Sequence, residues 1–115
     1  MSPSDGVPTA DTETARQRID GGDLVLDVRN ADEWSAGRIT DSVWIPMGQL
    51  SERQAELPDD RAIVVVCRSG ARSATVTTAL TQAGYDATNL AGGLLAWAEA
   101  GLPLVTDDET PGTVV

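Results

Sequence analysis

The chain has 115 residues and a mass of 12.0 kDa, which is one domain's worth and enough to bury one modest core. Hydrophobic residues make up 41%, while 18 acids against eight bases, all of them arginine, give a formal net charge of −10. The absence of His and Lys excludes a Ser-His-Asp triad, a Cys-His dyad, a His metal site, a phosphate-binding lysine and a Schiff base. The acidic balance argues against nucleic acid and anionic membrane as partners.

Along the chain, residues 1–8 read as a flexible N-terminal tail, although a short strand near Val7 to Thr9 is weakly signalled. Asp11 can cap a helix that runs to about Ile19 and is closed by Gly21-Gly22. Leu24 to Val28 is an apolar run interrupted by Asp27, and reads as a buried strand. Asn30 followed three residues later by Glu33 predicts a capped helical turn, closed by Gly37. Val43 to Ile45 forms a second short strand before Pro46, and Leu50 to Leu57 a helix before the turn Pro58-Asp59-Asp60. Ala62 to Val66 is wholly apolar, as in a strand covered on both faces. A loop, Cys67 to Arg72, leads into a helix to about Ala83. Ala87 to Leu90 is a further strand, and Gly92-Gly93 opens a last helix through Ala100. Residues 105–115, with Asp107, Asp108 and Glu109, read as an acidic flexible tail. Strands alternating with helices predict an α/β fold: a mostly parallel sheet of about five strands flanked by helices in three layers. No long apolar stretch for a membrane span and no signal-peptide pattern are evident, and a lone thiol suits a reducing cytoplasm.

Cys67 is the only cysteine, so it can form no internal disulfide and alone holds no metal. A lone cysteine is commonly a buried filler. Here Arg68, Gly70 and Arg72 stand where a core would want apolar neighbours. The position is one residue past the most buried strand and just before a helix, where open α/β sheets bind ligands. The small residues Ser69, Gly70 and Ala71 let the backbone curl so that its N–H groups face inward as an anion nest. The helix start, Arg68 and Arg72 add positive potential. Such surroundings favour a thiolate nucleophile acting on an anionic substrate with no general base.

Taken in order, the pieces resemble a single-domain rhodanese, the sulfurtransferase family, over residues 9–104. Asp27-Val28-Arg29 with Glu33-Trp34 resembles the family's strand-end motif. Gly37-Arg38-Ile39 and Ile45-Pro46 resemble the next segment, and Cys67-Arg68-Ser69-Gly70-Ala71-Arg72-Ser73 the active-site loop. Asn89-Leu90-Ala91-Gly92-Gly93 with Ala96-Trp97 resembles the closing motif, and Gly101-Leu102-Pro103 the exit. The resemblance implies that Cys67 takes a sulfur from a donor such as thiosulfate, holds it as a persulfide within the loop N–H groups, and passes it to an acceptor, with cyanide as the usual assay acceptor. It implies no cofactor and no metal. The partners it implies are a small anionic sulfur donor and an external thiol or protein acceptor. Phosphatases and some arsenate reductases share the fold but carry Cys, five residues, then Arg; here that position is Ser73, and Arg72 falls one residue early. A sulfur-carrier or regulatory binding module without catalysis is the other alternative.

Supporting roles fall to Asp27, Arg29, Ser73, Gly92 and Gly93. Arg29 and Glu33, four apart, are expected to form an ion pair, and Asp27 could accept backbone N–H bonds of the loop. Gly92-Gly93 would allow close backbone approach near the site. Trp34 and Trp97 are expected to face the core, and Trp44 to pack. Arg38 stands where the family often has His.

Overall fold

The computed structural model describes residues 7–115. Five strands alternate with five helices: β1 Thr9–Ala10, α1 Thr12–Asp20, β2 Leu24–Asp27, α2 Ala31–Ala36, β3 Val43–Trp44, α3 Leu50–Arg53, β4 Ile63–Val66, α4 Ala71–Gln82, β5 Ala87–Leu90 and α5 Gly93–Glu99. The strands form one sheet in the order β1-β5-β4-β2-β3, and every pairing is parallel. β4 is central because each of its residues is apolar and can be covered from either side.

Alternation along the central strands divides the interior in two. Ile63 and Val65 point into one core with Leu24, Leu26, Leu50, Val76 and Leu80, under α3 and α4. Val64 and Val66 point into the other with Val25, Ala15, Leu94 and Trp97, under α1 and α5. The result is a sheet between two helical layers, as the alternating pattern predicts. Since all strands run the same way, their carboxyl ends share one edge. That edge gathers the ends of β2, β4 and β5 with the segments that follow them. No helix of the described residues is long and apolar enough to cross a membrane.

Local signals act where expected. The Asp11 carboxylate accepts from Thr14 N–H at 2.8 Å and starts α1. Asn30 N–H donates to Glu33 Oε1 at 3.0 Å and starts α2. The helix expected over 50–57 is α for only Leu50–Arg53 and then tightens to a 3-10 turn over Gln54–Glu56. Pro58 disfavours helical backbone at Leu57, which is extended at ψ 140°. The edge strand lies at Thr9–Ala10 rather than Val7 to Thr9, paired with Asn89 and Leu90. Of the expected N-terminal tail, residues 1–6 lie outside the described part of the chain.

Residues 105–115 differ from the loose tail that their acidity predicts. Val105 bridges Arg38 and Pro111, Gly112 N–H donates to Leu104 O at 2.8 Å, and Thr113 N–H donates to Ala36 O at 2.9 Å. Asp107 pairs with Arg38, and Val114 packs on the second core. Backbone hydrogen bonds and one apolar anchor hold this strap, and neither shows in a charge count.

Candidate active site

β4 delivers Cys67 to the carboxyl edge, and α4 begins four residues later at Ala71. Gly70 precedes α4 in the left-handed region at φ +101°, a conformation that a side chain would strain. The Cys67 side chain has no solvent exposure and touches the first core, yet donors converge on it. Its Sγ accepts from Gly70 N–H at 3.1 Å, Ser73 N–H at 3.4 Å and the Ser73 hydroxyl at 3.3 Å. Burial pushes the thiol pKa up. Hydrogen bonds from the Ser73 hydroxyl and from the Ser73, Gly70 and Ser69 N–H groups outweigh it, and the net shift is below the ordinary thiol value. Cys67 is thus both a buried residue and one whose sulfur is met by several hydrogen-bond donors.

The two loop arginines are placed otherwise than expected. Arg72 turns to Glu33 in a two-pronged pair at 2.7 and 2.8 Å. That pair holds the Glu33 carboxyl down at about 2, against its burial, with help from Asn30 N–H. Arg68 is exposed, and its Nε donates to the Val115 carbonyl oxygen at 3.1 Å. The charge facing the sulfur therefore comes from N–H groups and a hydroxyl rather than from two free guanidinium groups.

The expected Arg29–Glu33 pair does not form. Arg29 precedes the first residue of α2, so helical i,i+4 spacing does not apply to it. In extended backbone, residues two apart share a side, and Arg29 meets Asp27 there. Arg29 Nη2 lies 2.8 Å from Asp27 Oδ2 and Nε 2.9 Å from Oδ1, with both side chains wholly buried. Nη2 also donates to Gly37 O at 2.7 Å. Asp27 accepts from Arg29 N–H at 3.1 Å, not from the Cys67 loop. Its role is to neutralise a buried cation beneath the edge.

Gly92 and Gly93 bring α5 hard against the loop. Leu94 N–H donates to Cys67 O at 2.9 Å and Leu95 N–H to Arg68 O at 3.0 Å. A Cβ on Gly93 would lie 2.4 Å from Arg68 O and 2.7 Å from Cys67 O, and the residue has φ +60°. Only glycine fits there.

Sequence reasoning missed Asn89. Its Oδ1 lies 2.5 Å from Ser73 Oγ, and its Nδ2 donates to Gly70 O at 3.3 Å. The available signal was a polar amide within a short strand buried at every position. Of the tryptophans, Trp97 is buried, with Nε1 donating to Pro103 O at 3.0 Å. Trp34 instead leaves the core, stacks on Trp44 at 5.5 Å and is covered by Arg38. A cleft of about 370 Å³ lies elsewhere, lined by Arg16, Asp20, Ile39 and Trp97 among others. Its lining holds no thiol, and Arg16 and Asp20 pair with one another, whereas several donors converge on the Cys67 sulfur.

A family model described as the rhodanese-like domain matches residues 11–100. A protein named sulfurtransferase from Allochromatium vinosum is 43% identical over 101 residues, covering 85% of this chain and 94% of that protein. Thiosulfate sulfurtransferase 18 of Arabidopsis thaliana is 32% identical, covering 91% of this chain and 88% of that protein. Among solved structures, a rhodanese-related protein from Thermoplasma volcanium superposes with a TM-score of 0.83 at 32% identity, covering 87% of this chain and 99% of its own.

Proposed function

Since the chain belongs to the rhodanese-like family, we propose that it is a sulfurtransferase that carries sulfane sulfur as a persulfide on Cys67. The observation that carries this reading is the ring of donors around one buried sulfur, from Gly70 N–H and from both the N–H and the hydroxyl of Ser73. Such a ring favours the thiolate that must attack and that must later leave.

With thiosulfate as donor, the Cys67 thiolate attacks the outer sulfur, the donor's S–S bond breaks, and sulfite leaves with the electron pair. The product is a persulfide anion with its charge on the outer sulfur. The N–H groups of Arg68 to Arg72 receive that charge, and the exposed Arg68 orients the incoming dianion. An acceptor nucleophile such as cyanide then takes the outer sulfur, and Cys67 departs as thiolate. There is no second cysteine in the chain, so the natural acceptor is an external thiol or a protein. Because Cys67 has no exposed surface, each exchange needs a local opening of the loop. A lone thiol of this kind suits a reducing compartment such as the cytoplasm.

Phosphate or arsenate chemistry is less well supported. The loop is one residue short of that spacing, and Arg72 is committed to Glu33 rather than free to close over a tetrahedral oxyanion. The test is thiosulfate treatment followed by intact-mass measurement and a thiocyanate assay. One added sulfur on the wild type is expected, with none on Cys67→Ser and no turnover by that variant. A folded wild-type protein that gains no sulfur refutes the reading.

A further inference from the structure

Ser73 Oγ stands between two acceptors and has one proton to give. Cys67 Sγ lies 3.3 Å away on one side and Asn89 Oδ1 2.5 Å away on the other. The orientation of the Asn89 amide follows from its neighbours. Gly70 O can only accept, so the nitrogen must face it, and Oδ1 is left facing Ser73. Cys67, Ser73 and Asn89 are all buried, so neither acceptor is open to bulk water.

We propose that Asn89 positions the Ser73 hydroxyl as a two-way donor, whose proton rests on Asn89 Oδ1 while Cys67 carries the persulfide and turns to Sγ as the thiolate is regenerated. This rests on the persulfide reading above. In the persulfide, Sγ is a neutral divalent sulfur and a poor acceptor, so the hydroxyl proton is best placed on Asn89. When an acceptor attacks the outer sulfur, the S–S bond breaks and its electron pair goes to Sγ. The hydroxyl then gains a charged partner. Asn89 thereby favours the loaded enzyme, and Ser73 favours discharge. Ser73 touches the reacting atom and is a catalytic residue; Asn89 acts through it and is a positioning residue.

The single thiol makes the test direct, because ultraviolet thiolate absorbance, with the tyrosinate band of Tyr85 subtracted, titrates Cys67 alone. Ser73→Ala is expected to raise the Cys67 pKa and to slow discharge of preloaded enzyme to cyanide about ten-fold, while Ser73→Thr retains wild-type behaviour. Asn89→Leu releases the hydroxyl to the thiolate and lowers the pKa. Asn89→Ala, a second variant should the leucine one fail to fold, removes the same acceptor without adding charge and also lowers it. Arg72, whose guanidinium feels the Cys67 charge, stays paired with Glu33 throughout. An unchanged pKa and discharge rate in Ser73→Ala, or a raised pKa in Asn89→Leu, overturns the proposal. A wild type that takes up no sulfur, while Ser73→Ala still raises and Asn89→Leu still lowers the pKa, overturns the sulfur-transfer reading and the persulfide half of the switch but not the sharing of the hydroxyl between Cys67 and Asn89.

Discussion

Replacing Glu33 by Gln removes one charge from the Glu33–Arg72 pair while keeping its shape. The carboxyl titrates at about 2 in the fold against an ordinary value of 4.5. At about 1.36 kcal/mol per pKa unit, that difference is an upper bound of about 3 kcal/mol. The Arg72 side chain is 33% exposed, so water screens part of it, and about 1–2 kcal/mol is expected in practice. Because the folded value lies below the unfolded one, the contribution is complete above the unfolded value of 4.5. It declines as the pH falls below that point and is gone once the pH passes the folded value of about 2. Urea unfolding followed by tryptophan fluorescence, for wild type and Glu33→Gln from neutral to acid pH, reads it directly. The gap between the two proteins should be widest near neutrality and should close with acid. A gap that is absent at neutral pH, or that does not narrow in acid, refutes the assignment of the low carboxyl value to Arg72.

Gly93→Ala should displace the Cys67 loop, since its Cβ meets Arg68 O at 2.4 Å in a left-handed residue. Sulfur transfer should fall more than ten-fold with a stability loss of about 1–3 kcal/mol. Gly48→Ala, with open space around its Cβ, should leave both unchanged. Asp27→Asn strands the buried Arg29 cation and should cost about 3–5 kcal/mol by chemical denaturation, and a cost below about 1 kcal/mol would show that the pair is not buried as described. Deleting residues 106–115 removes the Asp107–Arg38 pair, the Thr113 hydrogen bond and the Val114 contact. The melting temperature should fall by about 4–8 °C for each kcal/mol lost, and an unchanged value would mean that the strap does not hold in solution.

The order of elements was legible because this fold writes its layers plainly. Ile63–Val66 is apolar at every position, and a sheet covered on both sides has no other use for such a run. The Cys67 loop was legible because arginine and glycine beside a lone thiol make no sense as core. Partner choice was not legible. Arg29, Glu33, Asp27 and Arg72 are four charges with several plausible pairings. Which ones form depends on whether Arg29 lies inside α2, a difference of two residues that composition does not resolve. The same holds for residues 105–115, whose attachment runs through backbone atoms common to every sequence. Asn89 stands in the closing motif, but its role escaped notice because an amide on a strand shows no partner until Gly70 O and Ser73 Oγ are seen on either side of it.

A peptide unit is a rigid plane with its C=O and N–H at opposite ends, so fixing one end aims the other. Leu95 N–H grips Arg68 O, which shares its plane with the Ser69 N–H. α5 therefore works as a lever on the outside of the loop: pulling that oxygen outward turns the Ser69 hydrogen inward, toward Cys67. The same pull on Cys67 O sets the tilt of the Arg68 N–H. Polarity inside the ring is thus set from behind by a helix none of whose side chains hydrogen-bonds to the sulfur, and it can be retuned from α5 with every residue of the loop left in place.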